Sequence, residues 1–366
     1  MYPIIEIKTI SGASTMKSPY RLVSFLAVVG LLSASLVFAH HSPFLFFDPT
    51  SSIEIEGTIQ RIHWRNPHPE FVLAVTDESG EVANWILEAH SVSILRRMDI
   101  GKDKFAVGDR VKVAGWPSKR GGNELFITNM LLPQGIEVAM DPGSQPKWAA
   151  TAEGDKSVWL VTEDSLVAGE DTDSIFHVWS TSLATGDGSF LFENFDFPLT
   201  AEAAVARAEY DMYSNPILGT CTFKGMPTIM EQPYPMELID HGDKITMHME
   251  EGDTVRVFDM TPSASAADKG LRPLGHSVGE WQDDVLVITT VGSDWPYVDM
   301  TGIPNSDDAV YVERFTAAEN GTTLDYTLTI TDPRTFTSPP TFTKTYLWLA
   351  GAEVRPYDCE AREIED

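Results

Sequence analysis

Between Ser52 and Leu132 the apolar residues recur in short runs: SIEIEGTIQRIHW, EFVLAVTD, EVANWILEA, VGDRVKVAGWP and ELFITNMLL. Runs of this length, rich in β-branched and aromatic residues and broken by turns such as Glu78-Ser79-Gly80, predict strands. A single short helix is predicted in SVSILRRM, between the third and fourth runs. Five strands with one helix at that place give the order of an OB-like five-stranded barrel. Gly57, inside the first strand, marks the bend or bulge such a barrel needs to close.

Residues 134–148 contain Pro142, Gly143 and Pro146 and read as a linker. From about Ala149 the strand pattern resumes in SVWLVTED, SIFHVWSTSL, PMELIDHGDKITMHME, DTVRVFDM, GEWQDDVLVITTVG, AVYVERFTA, TTLDYTLTITD and FTKTYLWLAG. One helix is expected, from Ala201 to about Met212, capped by Thr200. Leu324, Tyr326, Leu328 and Ile330 alternate with Asp325, Thr327, Thr329 and Thr331, the pattern of a half-buried barrel wall. Successive strands joined by turns, without βαβ alternation, predict an antiparallel meander. The reading is therefore all-β: an OB-like domain over 40–133, then a larger antiparallel lipocalin-like β-barrel over 149–366 with one short helix and a central cavity.

The one long apolar run lies elsewhere. Leu22 to Ala39 is uncharged, follows Lys17 and Arg21, and ends on a small residue before His40-His41-Ser42. Residues 1–39 thus read as a secretory signal with Met16 as its start, and an uncleaved anchor is the alternative. The expected location is periplasmic or secreted, with no stable membrane insertion after cleavage. Pro43 to Phe47 then reads as an apolar anchor that packs the mature start onto the first domain.

The formal charge of the whole chain is −28. Removing the signal takes away three basic residues and one acidic residue, which leaves about −30. Such a surface repels phosphate, so the OB-like domain is not read as a nucleic-acid binder. Cys221 and Cys359 are the only cysteines. In an oxidising compartment an even count favours a disulfide, worth about 4 kcal/mol for so long a loop, and two buried thiols are the alternative.

Two groups of residues carry candidate chemistry. An amino-terminal His40 chelates a metal through its amine and ring, and His41 or His68 would complete a nitrogen set suited to copper. His63 and His68 flank the turn-former Asn66-Pro67, and His90 is a weaker candidate. The competing reading is a mobile start and a purely conformational turn. In the second domain, strand alternation puts Glu313 on the face of Tyr311 and Phe315, with Arg314 opposite. A carboxylate among rings is costly unless paired or functional, so Glu313 with His276 forms a candidate acid/base pair, with an ion pair or a wet rim as the alternative. Trp281, Asp299, Tyr311 and Arg314 complete a candidate ligand-binding set. The acidic turns Trp281–Asp284 and Asn305–Asp308 read as turns first and weak Ca²⁺ sites second.

The HHS start, the motif Trp64-Arg65-Asn66-Pro67-His68 and the OB-like order resemble an uncharacterised family of secreted bacterial proteins, with an AHHS-like junction and a W-x-N-P-H segment. Gly225-Met226-Pro227, Gly275-His276-Ser277, Val312–Phe315 and Tyr357–Glu360 are similar to the companion region of related bacterial proteins. The resemblance implies a family and no activity. Three functions are expected from these residues: an exported module binding a small, partly apolar ligand, with a candidate copper site; an acid/base hydrolase, isomerase or hydratase of lipid-like or terpenoid substrates; or an envelope module that contacts another protein.

Overall fold

A computed structural model describes residues 46–154, 174–181, 191–192, 195–211, 221, 224–261, 270–318 and 321–360. All of them belong to one compact unit, Ala39–Asp366. The expected signal segment, His40 and His41 lie outside the described residues. Among those described, no helix is long and apolar enough to cross a membrane.

The first barrel is built from β1 (Ile53–His63), β2 (Glu70–Thr76), β3 (Val82–Glu88), β4 (Arg110–Pro117) and β5 (Glu124–Leu131). β1 pairs with β2 and β4, β2 with β3, and β4 with β5, all antiparallel, and a parallel β3–β5 pairing closes the ring. The helix α1 (Val92–Arg97) follows β3 as the pattern predicts, with the Ser91 hydroxyl accepting the Ile94 N–H at its start. Gly57 does not mark the bulge: the register slips between Ile59 and Arg61. Gly57 instead allows close strand approach, because a Cβ there would lie 2.4 Å from the Ala74 carbonyl oxygen. At the N-terminal edge Phe47 is buried against the Phe126 ring and forms an antiparallel bridge with Ser118.

Residues 134–148 are not a free linker. They carry β6 (Glu137–Ala139), which extends the first sheet through β5, and β7 (Ala152–Glu153) adds to β6. The Glu137 carboxylate accepts the N–H groups of Lys147, Trp148 and Ala149 and a hydrogen bond from Asn129. Burial opposes its charge, but these donors outweigh it and hold the carboxyl below its ordinary range.

The second barrel is a closed ring of nine strands: β8 (Val178–Ser180), β9 (Met236–Asp240), β10 (Lys244–Met249), β11 (Thr254–Asp259), β12 (His276–Gln282), β13 (Val285–Val291), β14 (Val310–Ala317), β15 (Thr323–Thr331) and β16 (Thr341–Trp348). A ring with an odd number of strands cannot alternate direction throughout. The unavoidable parallel contact is β11–β12, whose connection, residues 260–275, is long enough for a crossover. The helix α2 (Ala201–Glu209) is capped by Thr200 and ends three residues before the expected Met212. Among the described residues, large side chains occupy much of the expected central cavity. Large buried residues including Trp179, Phe258, Phe315, Phe342 and Tyr346 form one core cluster with Met226 and with Ile229 and Met230 from a 3₁₀ turn. That turn, Thr228–Glu231, is held by bonds from Trp295 Nε1 to Thr228 Oγ1 and from Ser293 Oγ to Met226 O.

Candidate functional site

Strand alternation in the second barrel turns a row of polar side chains inward. β11 supplies Arg256, β12 Ser277, β13 Thr290, β14 Glu313, β15 Tyr326, and β16 Lys344 and Tyr346, so six consecutive strands contribute. Arg256 and Glu313 form a bidentate pair, Nη1–Oε1 at 2.8 Å and Nη2–Oε2 at 2.5 Å, with side chains 1% and 0% exposed. Tyr326 donates to Glu313 Oε1 at 2.9 Å. Ser277 and Thr290 are bonded through their hydroxyls, and Arg256 Nη2 reaches Thr290 at 3.4 Å. Burial works against the charge of Arg256, but Glu313 outweighs it and holds the guanidinium above its ordinary pKa. Burial, followed by the charge of Glu313, pushes the Tyr326 phenol well up.

The 3₁₀ turn meets this row. Tyr346 donates to Met230 O, Lys344 Nζ to Gln232 O at 3.4 Å, and Arg256 Nη1 lies 3.0 Å from Met230 Sδ. Lys344 is 4% exposed, and burial brings its pKa down to about 7, with Glu231 partly offsetting the fall.

The expected His276–Glu313 pair is not assembled. His276 pairs with Val291 on the outer face, its Nε2 3.1 Å from Gly270 O, whereas Glu313 points into the barrel. Adjacent residues on a strand face opposite ways, so Ser277 inside puts His276 outside. Of the ligand-binding set, only Tyr311 faces the interior, donating to Asn305 Oδ1 at 2.7 Å. Trp281 is 46% exposed, and Arg314 bonds Gln282 on the exposed side. Asp299 is buried in a turn, where it accepts from Thr301 and Ile303. The acidic turn at Asp307 and Asp308 is matched by Arg334.

The histidines of the first barrel are used singly. His68 Nδ1 donates to Ala89 O at 2.8 Å, and His90 Nε2 contacts Asp141 Oδ1 at 2.7 Å. Among the described residues no group of three His, Cys, Asp or Glu side chains converges on a metal position.

The motif around His68 has a different partner. Asn66 Nδ2 donates to Tyr357 O and, at 3.4 Å, to Ser93 Oγ; its Oδ1 accepts from Val92 N, and its carbonyl accepts from Glu360 N. Arg65 faces Asp358 and Glu360, each at 3.4 Å. The motif thus clamps the C-terminal segment 357–360, which the Cys221–Cys359 disulfide also tethers. Tyr357 and Tyr234 join the first barrel's own core cluster. Beside them Arg97 donates to Ser180, Glu250 bonds Ser93, and a recess of about 170 Å³ opens between Trp64, Arg96, Ile100 and Tyr357. Burial brings Arg97 down to about 9 and raises Glu250.

Residues 28–126 match the model of a family of unknown function (DUF6152). None of the curated proteins matches the chain. The matched segment contains the Trp64–His68 motif and ends before both the inward polar row and the segment that the motif holds.

Two outcomes follow from these contacts. Asn66→Asp removes the donor to Tyr357 O and buries a charge, so chemical denaturation should show a loss of about 2–3 kcal/mol, and limited proteolysis should open the C-terminal segment first. Lys344 has a folded pKa below its unfolded value, so its contribution is fully present above about pH 10.5, declines as pH falls, and levels off below about pH 7. Relative to Lys344→Met, the wild type should therefore gain about 2–4 kcal/mol between pH 7 and pH 10, measured by urea unfolding at each pH.

Proposed function

We infer that the protein is an exported binding protein whose second barrel takes a small, partly apolar ligand bearing a polar head group. The observation that carries this reading is the inward row from Arg256 to Lys344. An ion pair inside a barrel adds little stability compared with apolar residues of the same volume, so its presence calls for another reason. Charged and phenolic groups buried together are a recurrent mark of ligand and reaction sites. The turn that meets the row fits the same reading, since Met230 and the preceding Met226 are unbranched thioethers that repack around varied apolar shapes. Apolar wall, polar row and methionine-bearing turn together match the composition of small-molecule sites.

The test is a fluorescence titration of the mature protein with anilinonaphthalene sulfonate, an aromatic amphiphile with an anionic head. Saturable binding at one site is expected, and the double variant Arg256→Met/Glu313→Met should keep the fold while weakening binding at least about tenfold. Binding unchanged in the double variant would remove the barrel interior from the proposal.

Copper at the mature start is a second proposal, and one observation favours it. Because His68 Nδ1 donates to a carbonyl, its Nε2 in the neutral ring bears the free lone pair that a metal ligand needs. Equilibrium dialysis with Cu(II) should give one ion per chain, reduced by His68→Ala; equal uptake by this variant would exclude His68.

A further inference from the structure

We propose that Lys344 is a covalent attachment point for an apolar aldehyde, held as an imine inside the second barrel. The proposal rests on the ligand reading above and names the ligand's reactive group. On β16, alternation places Lys344 inward between Phe342 and Tyr346, directly across from Tyr326 on β15. Its Nζ lies 3.4 Å from Gln232 O and 4.7 Å from the centroid of the Tyr346 ring. An ammonium brings three donors and a full charge. One long carbonyl contact and a ring face, at a position 4% exposed, solvate that charge poorly, and the nearby buried Glu231 carboxylate offsets this only in part. The same side chain as a neutral amine is well housed, in line with its lowered pKa of about 7.

A neutral amine retains the lone pair that an ammonium has lost, and lysines desolvated in this way are the ones that condense with carbonyls. The Nζ lone pair adds to the aldehyde carbon and the C=O π bond opens to a carbinolamine. The carbon–oxygen bond then breaks, and the oxygen leaves as water with the two protons that were on nitrogen. A C=N bond remains, with no oxidant or reductant required. Phe342 and Tyr346, which flank Lys344 on the inner face of β16 and belong to the apolar core, favour an apolar chain over a charged or sugar-like carbonyl. An aldehyde also asks for less space at carbon than a ketone, which matters where large side chains occupy much of the interior.

The experiment incubates the full chain with decanal near pH 7, traps imine with cyanoborohydride, and maps the alkylated lysine by peptide mass. Exposed lysines are almost wholly protonated there, so Lys344 should react about a hundredfold faster than any of them, and Lys344→Met, checked for fold by circular dichroism, should lose the fast adduct. Slow labelling spread over exposed lysines, with Lys344 unmodified, overturns the proposal. Displacement of anilinonaphthalene sulfonate by decanol, which cannot form an imine, separates the two readings. If decanol displaces it and decanal leaves no adduct at Lys344, the imine falls and the ligand reading stands; if neither compound displaces it, the ligand reading falls as well.

Discussion

Arg256 and Glu313 meet where water cannot follow, and the second barrel is arranged around the cost of that meeting. Removing two charges from water costs several kcal/mol for each, and only a close bidentate geometry with further hydrogen bonds recovers it. Both guanidinium nitrogens that reach Glu313 lie within 2.8 Å of its oxygens, and Tyr326 adds a third bond. Six neighbouring strands must hold their register for this set to exist. The register is in turn secured by closure of the nine-stranded ring, which leaves no free edge along which a strand could slide.

The two barrels share their construction to an extent that separate domains do not. Tyr234 and Tyr357 pack in the core cluster of the first barrel although they belong to the second half of the chain. Ser91, Ser93 and Arg97 on or beside α1 meet Tyr234, Glu250 and Ser180 in return. Lys224 and Glu251 form another ion pair on this side of the second barrel. The W-x-N-P-H segment organises the contact, since its asparagine serves α1 with one amide atom and the C-terminal segment with the other.

Much of this was legible in the sequence, and its failures have physical causes. The OB-like order followed from strand spacing and one helix, and the all-β second half from alternation in stretches such as 324–331. The inward place of Glu313 followed from its phase with Tyr311 and Phe315. Arg256 escaped notice because TVRVFDM invites the opposite phase: its valines look like core, yet Val255 and Val257 are each 45% exposed while Arg256 is buried. The true signal was Phe258, two residues on and on the same face. Lys344 carried a similar mark, in phase with Phe342 and Tyr346. His276 and Glu313 could not be sorted, because sequence gives each strand's two faces but not which face of one strand matches which of another. Asn66 was read as a turn residue, and no local pattern could reveal a partner that lies 291 residues further along the chain.

The grip of Asn66 on residues 357–360 also couples the stability of two distant stretches of the chain. Tyr357 fills a place in the first barrel's core cluster, so release of residues 357–360 would open that core. Whatever loosens the segment around Tyr357 therefore loosens the first barrel as well, although the two lie far apart in the sequence.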